Sequence, residues 1–340
     1  MNYGSFLTRR TGQAILVLLG LSVLMFVLAR IVPGDPGRLA LGPTATASQV
    51  KSLDHDFGLD QPIWVQYAKY LGNATHGDFG QALLTRRSVE RDMQDSFPAT
   101  LELVLASTII VVGIGVPLGV LAALNRDGPI DAATRLLALV GVAVPDFLLG
   151  IALQLIFGYW LGVLPISGQI DPNLQFSTSF TGMVLPDALL QRNWPVLGSA
   201  FTHLILPAIA LSAAGLSQVV RLLRASMIEV LRREHVRAME LRGVSRMRIA
   251  FKYALKPALI PALTVVGLTF ASLFGEAFLI EAVFSWPGIA AYGLRAMQEK
   301  DLNAIVGVVL VVGLMFSLAN LAMDLLRGYL DPRIRLKGAA

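Results

Sequence analysis

Residues 101–124 read LELVLASTIIVVGIGVPLGVLAAL, with Glu102 as their single charged side chain. A helix needs about 20 mainly apolar residues to cross a hydrocarbon layer about 30 Å thick, and this stretch meets that length. Comparable runs lie at 14–32, 136–164, 204–220, 258–280 and 304–323. The run at 204–220 is short, and the run at 136–164 is long enough to tilt or kink, with Pro145 near its first third. Buried helices of a large soluble bundle are the competing reading, and six such runs in one chain argue against it. Composition agrees: 55% of the 340 residues are hydrophobic and 15% charged, where a soluble domain carries about a quarter charged residues. The fold class expected is therefore an all-α polytopic membrane protein with six transmembrane helices.

Arg9 and Arg10 ahead of the first run superficially resemble the start of a signal peptide. The run exceeds an h-region of about 7–15 residues, and the small-residue pattern Ala45-Thr46-Ala47 lies too far downstream to be its cleavage site. A retained spanning helix is expected. With the N-terminus inside, the inner segments hold 18 Lys and Arg and the outer loops 9. Six of those nine fall in the 66-residue segment 33–98, long enough to cross regardless of charge. Both termini are expected in the cytoplasm, and the net charge of +5 follows from this asymmetry rather than from nucleic-acid binding.

Outside the runs, segment 33–98 is polar, with Trp64, Tyr67 and Tyr70 at near-helical spacing after Pro62. Segment 221–256 has no proline and alternates basic with apolar residues, which predicts two helices broken at Gly243. Arg242 suits the last turn of the first, Gly243 the left-handed position after it, and Ser245 the cap of the second. Such a segment can rest on anionic headgroups, or it can be a docking element for a cytoplasmic partner.

Several chemistries are excluded. Without cysteine there is no disulfide, thiolate nucleophile or Cys-based metal site. No G-x-x-x-x-G-K-[ST] occurs, so the chain has no phosphate-binding loop. Gly113, Gly115 and Gly119 have no strand before them and are better read as helix-packing positions. Ser217 and His203 stand 14 residues apart in or near the fourth run, about 21 Å of helical rise, too far for a nucleophile and its base. His55, His76 and His235 lie outside the runs, and no metal-ligand cluster appears within them.

Shorter motifs add a resemblance. Pro33-Gly34-Asp35-Pro36 follows the first run, Phe57-Gly58-Leu59-Asp60-Gln61-Pro62 leads into Trp64-Val65-Gln66-Tyr67, and Gly77-Asp78-Phe79-Gly80 comes next. Phe284-Ser285-Trp286-Pro287-Gly288 follows the fifth run, and the chain ends through Asn320, Asp324 and Asp331-Pro332-Arg333-Ile334-Arg335. The inner loop carries Arg237-Ala238-Met239-Glu240-Leu241-Arg242-Gly243. In this distribution the chain resembles the membrane subunits of binding-protein-dependent ABC importers, specifically the dipeptide/oligopeptide permeases. The loop corresponds to that family's EAA loop. Ala238 and Gly243 fit its consensus, while Arg237 and Met239 replace Glu and Ala. Downstream Leu255 fits, Tyr253 and Lys256 stand in place of Ile and Pro, and Pro257 comes one residue late.

The resemblance implies a type I ABC importer permease fold with a long extracytoplasmic loop after helix 1, in a bacterial inner membrane. It implies residues 1–94 as first helix and outer loop, 95–328 as the five-helix core with a coupling loop at about 224–257, and 329–340 as a cytoplasmic tail. It also implies a second homologous permease subunit, two cytoplasmic ATPases that hold ATP and Mg, and an extracytoplasmic binding protein. This chain would be no enzyme and would bind no cofactor. Nickel chelates, glutathione and modified peptides are alternative cargoes, and an ion-driven secondary transporter is the rival mechanism, although six helices are few for one. A membrane enzyme lacks a constellation here, and a receptor or scaffold would use the basic loop for a signalling partner. The coupling contacts implied are Val236, Arg237, Ala238, Met239, Gly243 and Val244. Val236, Met239, Val244 and Met247 would seat in an ATPase groove, and Arg232, Arg233, Arg237 and Arg242 would meet acidic rim groups.

Two carboxylates, Asp146 and Glu276, fall inside the runs and are candidates for the translocation pathway. A charge there costs about 2.5–3.5 kcal/mol on insertion scales, so it faces protein or a water-filled cavity. Relatives generally carry a small residue where Glu276 stands. An interhelical hydrogen bond from a protonated Glu276 is the alternative. Glu102 and Glu281, nearer the ends of their runs, are expected within reach of water.

Overall fold

The computed structural model describes residues 3–31, 46, 48, 61–82 and 85–330. The motif Pro33-Gly34-Asp35-Pro36, His55, the stretch 57–60 and the closing Asp331–Arg335 motif lie outside the described residues. Among the described residues the regular structure is helical, apart from an isolated bridge between Gln81 and Ser88.

Among the described residues five helices are long and apolar enough to span: α1 (Tyr3–Ile31), α3 (Val89–Leu124), α7 (Trp194–Leu231), α9 (Arg246–Val283) and α11 (Leu302–Leu330). Between the second and third of these come α4 (Pro129–Ala143) and α5 (Asp146–Trp160), which pass the same test only as a pair bent by 109°. The expected kink in the third run is thus a full break. Its cause is local: Val144, ahead of Pro145, is driven to an extended conformation (φ −97°, ψ 122°), and Asp146 starts a new helix. Shorter helices among the described residues are α2 (Ile63–Thr75), α6 (Val184–Leu190), α8 (Glu234–Leu241) and α10 (Ile289–Gln298).

The centre of the fold is α3 packed along α7. Gly115 and Gly119 make that approach close: a Cβ on Gly115 would stand 3.3 Å from Leu216 and Val219, and one on Gly119 3.0 Å from Leu223. Small residues that let backbones meet drive such contacts where lipid offers no hydrophobic gain. Pro98 and Pro117 in α3, Pro207 in α7 and Pro261 in α9 are accommodated, as interior prolines are in packed spanning helices. One apolar cluster gathers Leu103, Leu206, Leu211, Phe274, Ile280 and Trp286. A second, at the far end of α3, joins Val120 and Leu124 to Leu223 and Met227 of α7 and to Ala250 and Ala254 of α9.

The fourth run is shorter than its helix. α7 continues to Leu231 because Leu223, Met227 and Val230 keep an apolar stripe at helical spacing and are buried. The inner segment 221–256 is therefore not two helices but the end of α7, then α8, then the start of α9, with an additional break at Arg232–Arg233.

On the opposite side, Asp187 of α6 organises the loop before it. It accepts hydrogen bonds from the N–H groups of Ser179 (2.8 Å), Phe180 (3.0 Å) and Thr181 (2.9 Å) and from the Thr181 hydroxyl (2.7 Å). Burial pushes this carboxyl up, but the hydrogen bonds together outweigh it and hold the group at about 2. A carboxyl lowered in the folded state stabilises above its unfolded pKa of about 3.9 and loses that as pH falls through the folded value. The loop is anchored throughout the neutral range.

Candidate functional site

The inner segment is built around one turn. α8 ends with Leu241, Arg242 caps it, and Gly243 follows at φ +76°. The Gly243 N–H donates to Glu240 O (2.9 Å) and the Val244 N–H to Met239 O (3.2 Å). This paired closure is a Schellman motif, and it requires the left-handed conformation that glycine adopts without a Cβ penalty. Ser245 occupies the cap position of α9, but its side chain makes no capping hydrogen bond.

The turn sorts the side chains between protein and surroundings. Val236 points inward and is fully buried, with α8 packed on α7 and on the π-helical stretch Ile249–Ala254 of α9. Its side chain thus faces the core, whereas the resemblance implied that it would seat in an external groove. Leu241, which the pattern did not single out, is 90% exposed, and Met247 is 53% exposed. Met239 and Val244 are partly buried, while Arg237, Ala238, Arg242 and Gly243 are exposed. Arg233 pairs with Glu229 one turn back in α7 (3.0 Å). The result is a short exposed helix with an apolar tip among arginines.

Behind it lies an ion pair the sequence reading missed. Asp131, in the first turn of α4, is fully buried and accepts from Arg224 of α7 through both Nε and Nη2, the latter at 2.7 Å. The Asp127 N–H adds a third bond at 3.0 Å. The available signal was an arginine one turn from buried apolar positions of α7; its partner, 93 residues away, leaves no mark on local pattern.

At the other end, the carboxylates expected near water are instead enclosed. Glu281 is 0% exposed and accepts hydrogen bonds from the Thr100 hydroxyl and from the Ala291 N–H (2.8 Å). Thr100 Oγ1 in turn accepts from the Ile289 N–H (2.8 Å), and the Trp286 indole N–H donates to Ala99 O (2.8 Å). The turn 284–288 is thereby fixed onto α3. Gly288 is part of this fit, since a Cβ there would collide with the Glu281 carboxylate. Glu102 is likewise buried, accepting from the Leu185 N–H (2.6 Å) and Gln169 Nε2 (2.7 Å). Gln154, in the π-helical part of α5, donates to Ile166 O (2.6 Å) and Val283 O (3.0 Å). Hydrogen bonds from protein donors, rather than hydration, make these buried groups tolerable so close to lipid.

Asp146 and Glu276 behave differently. Asp146, the first residue of α5, is partly buried, and Glu276 lies on an exposed face of α9 together with Pro261, Leu268, Gly275 and Leu279. The helix that Asp146 begins packs on α9, which carries Glu276. Ser272, one turn before Glu276 on the same helix, donates its hydroxyl to Thr269 O (3.0 Å). His203 and Ser217 are each bonded to their own helix, His203 to Ser199 O and Ser217 to Ala213 O (both 2.8 Å). No group of three or more His, Cys, Asp or Glu fit to hold a metal occurs among the described residues.

Comparison with known proteins gives this arrangement its family. The model of the "binding-protein-dependent transport system inner membrane component" matches residues 115–336, and that of its N-terminal region matches residues 4–104. The chain belongs to this family. It is 38% identical to the probable D,D-dipeptide transport system permease protein DdpB of Escherichia coli K12, covering 98% of each chain. It is also 38% identical to the di/tripeptide transport system permease protein DppB of Pseudomonas aeruginosa, over 97% of this chain and 98% of the relative. A glutathione transport system permease protein, GsiC of Salmonella paratyphi A, is 33% identical over 98% of this chain and 99% of its own. Among solved structures, an inward-facing MetNI methionine ABC transporter aligns with 68% of this chain and 93% of that chain at 18% identity and a TM-score of 0.48. At that level of likeness it adds nothing to the assignment. Family membership and the apolar helices make the chain a multi-pass membrane component of a transport system.

Proposed function

We propose that the chain is one permease subunit of an ATP-driven importer that takes up di- and oligopeptides delivered by an extracytoplasmic binding protein. The names of relatives that match nearly the whole chain support the substrate class. On the chain itself, one observation carries the mechanism: α8, closed at Gly243, presents Leu241 and Met247 among exposed arginines. An apolar tip ringed by positive charge suits a groove with apolar walls and an acidic rim. The groove belongs to one of two cytoplasmic ATPases, which hold ATP and Mg. A second homologous permease completes the pathway. Arg237, Ala238, Met239, Gly243 and Val244 line the coupling contact, with Val236 holding α8 to the core, inside a coupling loop at about 224–257. Closure of the ATPases moves α8, and the cluster of Ala250, Ala254, Met227 and Val120 carries the movement into α9, α7 and α3. Purification from membranes should bring two ATPases and a second permease with this chain, and uptake into vesicles should require ATP. Uptake driven by a proton gradient without ATP would overturn the proposal. A glutathione-like modified tripeptide is the second reading, supported by the glutathione relative.

The orientation proposed puts both termini in the cytoplasm of an inner membrane. Reporter fusions at Gly128, Arg237 and Arg335 are expected to read cytoplasm, and fusions at Asn73, Asn173 and Glu299 the outside. Inversion at any two of the inner sites would remove the six-crossing topology.

Glu276 and Asp146 are proposed to line the pathway, where their negative charge attracts a peptide's amino terminus. Glu276→Gln keeps hydrogen-bonding capacity and removes one charge. Uptake of cationic and neutral peptides alike is expected to fall by several-fold, since both carry an amino terminus and one charge contact in a partly hydrated cavity is worth about 1 kcal/mol. Equal rates for both peptide classes in wild type and variant would make the residue structural.

A further inference from the structure

We infer that α2 is a membrane-interface helix, embedded by its apolar face in the leaflet that meets the C-terminal end of α1. The first observation is depth. The apolar window of α1 is Thr8–Leu28, and Ser22 stands six residues inside its end, about 9 Å of helical rise. The Tyr67 hydroxyl of α2 is hydrogen-bonded to Ser22 Oγ at 2.9 Å. Phe26, also inside the window, packs against the rings of Tyr67 (5.2 Å between centroids) and Tyr70 (5.7 Å). A helix whose side chains reach that far down α1 lies at the headgroup–acyl boundary, not in an aqueous loop.

The second observation is the distribution of residues around α2. At 100° per residue, Ile63, Trp64, Tyr67, Tyr70, Leu71 and Ala74 share one face, Lys69 and Asn73 lie about 120–160° from its centre, and Gln66 borders it. The middle of the apolar face is taken up by α1, but its N-terminal part is not. Ile63 is 60% exposed and Trp64 71% exposed on the same face whose tyrosines contact a lipid-exposed spanning helix. Hydrocarbon is the one surrounding at that depth that suits both side chains, and tryptophan favours the interface. Lys69, on the opposite face, is placed to reach headgroups or water. Through this contact α2 ties the extracytoplasmic segment that precedes α3 to the bilayer surface.

The test uses the natural absence of cysteine, which gives each single-cysteine variant one labelling site on this chain, and the unaltered chain carried through the same labelling supplies the background from other subunits. Nitroxide labels are placed at Ile63→Cys and Trp64→Cys on one face and at Lys69→Cys and Asn73→Cys on the other, in the assembled transporter in lipid nanodiscs. Accessibility to oxygen, which partitions into acyl chains, is compared with accessibility to a water-soluble nickel chelate. The expected result is an oxygen-to-nickel ratio several-fold higher at 63 and 64 than at 69 and 73. Equal ratios on the two faces would overturn the inference in favour of an aqueous helix. Low access to both reagents at 63 and 64 would overturn it in favour of a protein partner covering that face. Agreement between 63 and 64 guards against a local effect of removing the indole.

Discussion

Replacing Gly243 by valine is expected to lower substrate uptake at least about tenfold while the chain still inserts and the membrane core still assembles. The structure separates the two effects. A Cβ on Gly243 would meet nothing within 4 Å, so no neighbour is displaced, and the cost lies in the backbone at φ +76°. For an L-residue that conformation costs roughly 1–2 kcal/mol, and more for a β-branched side chain. The Schellman closure then opens, freeing the carbonyls of Met239 and Glu240, and Leu241 loses its fixed position relative to Met247. A loss of 1.4 kcal/mol in the docking equilibrium is about tenfold in occupancy. Gly243→Asn is the control, because asparagine tolerates the left-handed region, and it should keep most of the uptake. The measurements are ATP-dependent uptake in vesicles and retention of the ATPases on purification. Normal uptake by the valine variant would detach this turn from coupling.

Asp131→Ala is expected to destabilise the folded chain by about 3–5 kcal/mol, the usual cost of removing one partner of a buried ion pair. Asp131 is fully buried, and Arg224, its bidentate partner, is 21% exposed, so the guanidinium is left largely dehydrated and unpaired. The Asp127 N–H loses its acceptor as well. Thermal unfolding in detergent or nanodiscs would show a large drop for the single variant. The double variant Asp131→Ala, Arg224→Met should recover much of it, because an apolar side chain replaces a stranded charge. Equal unfolding temperatures for single and double variants would show that the pair is not coupled. This contact ties the start of α4 to the stretch of α7 that leads into α8, so residual transport should also fall in the single variant.

How much of this was legible beforehand depends on the range over which each property is decided. The spans at 101–124, 258–280 and 304–323 lie within α3, α9 and α11, because hydropathy over about 20 residues is a local sum and lipid tests that sum directly. The turn at Gly243 was equally readable, since a Schellman closure needs only a few consecutive residues and a glycine. The break at Val144–Pro145 was half visible: proline dictates an extended residue before it, but the 109° angle comes from the packing of α4 and α5 on α7.

The local pattern alone determined an all-helical membrane chain, most of its long apolar helices and the glycine that closes α8, because each follows from residues near one another. Tertiary structure alone decided which charges are enclosed and which face open space. Glu281 is satisfied by Thr100, 181 residues away, and Asp131 by Arg224, 93 residues away, whereas Glu276 stays on an exposed face. The same holds for Val236 turning inward while Leu241 turns out, since the direction of a short helix is set by what packs behind it. A carboxylate in an apolar run looks the same in every case; the distant donors that the fold delivers to it make the difference.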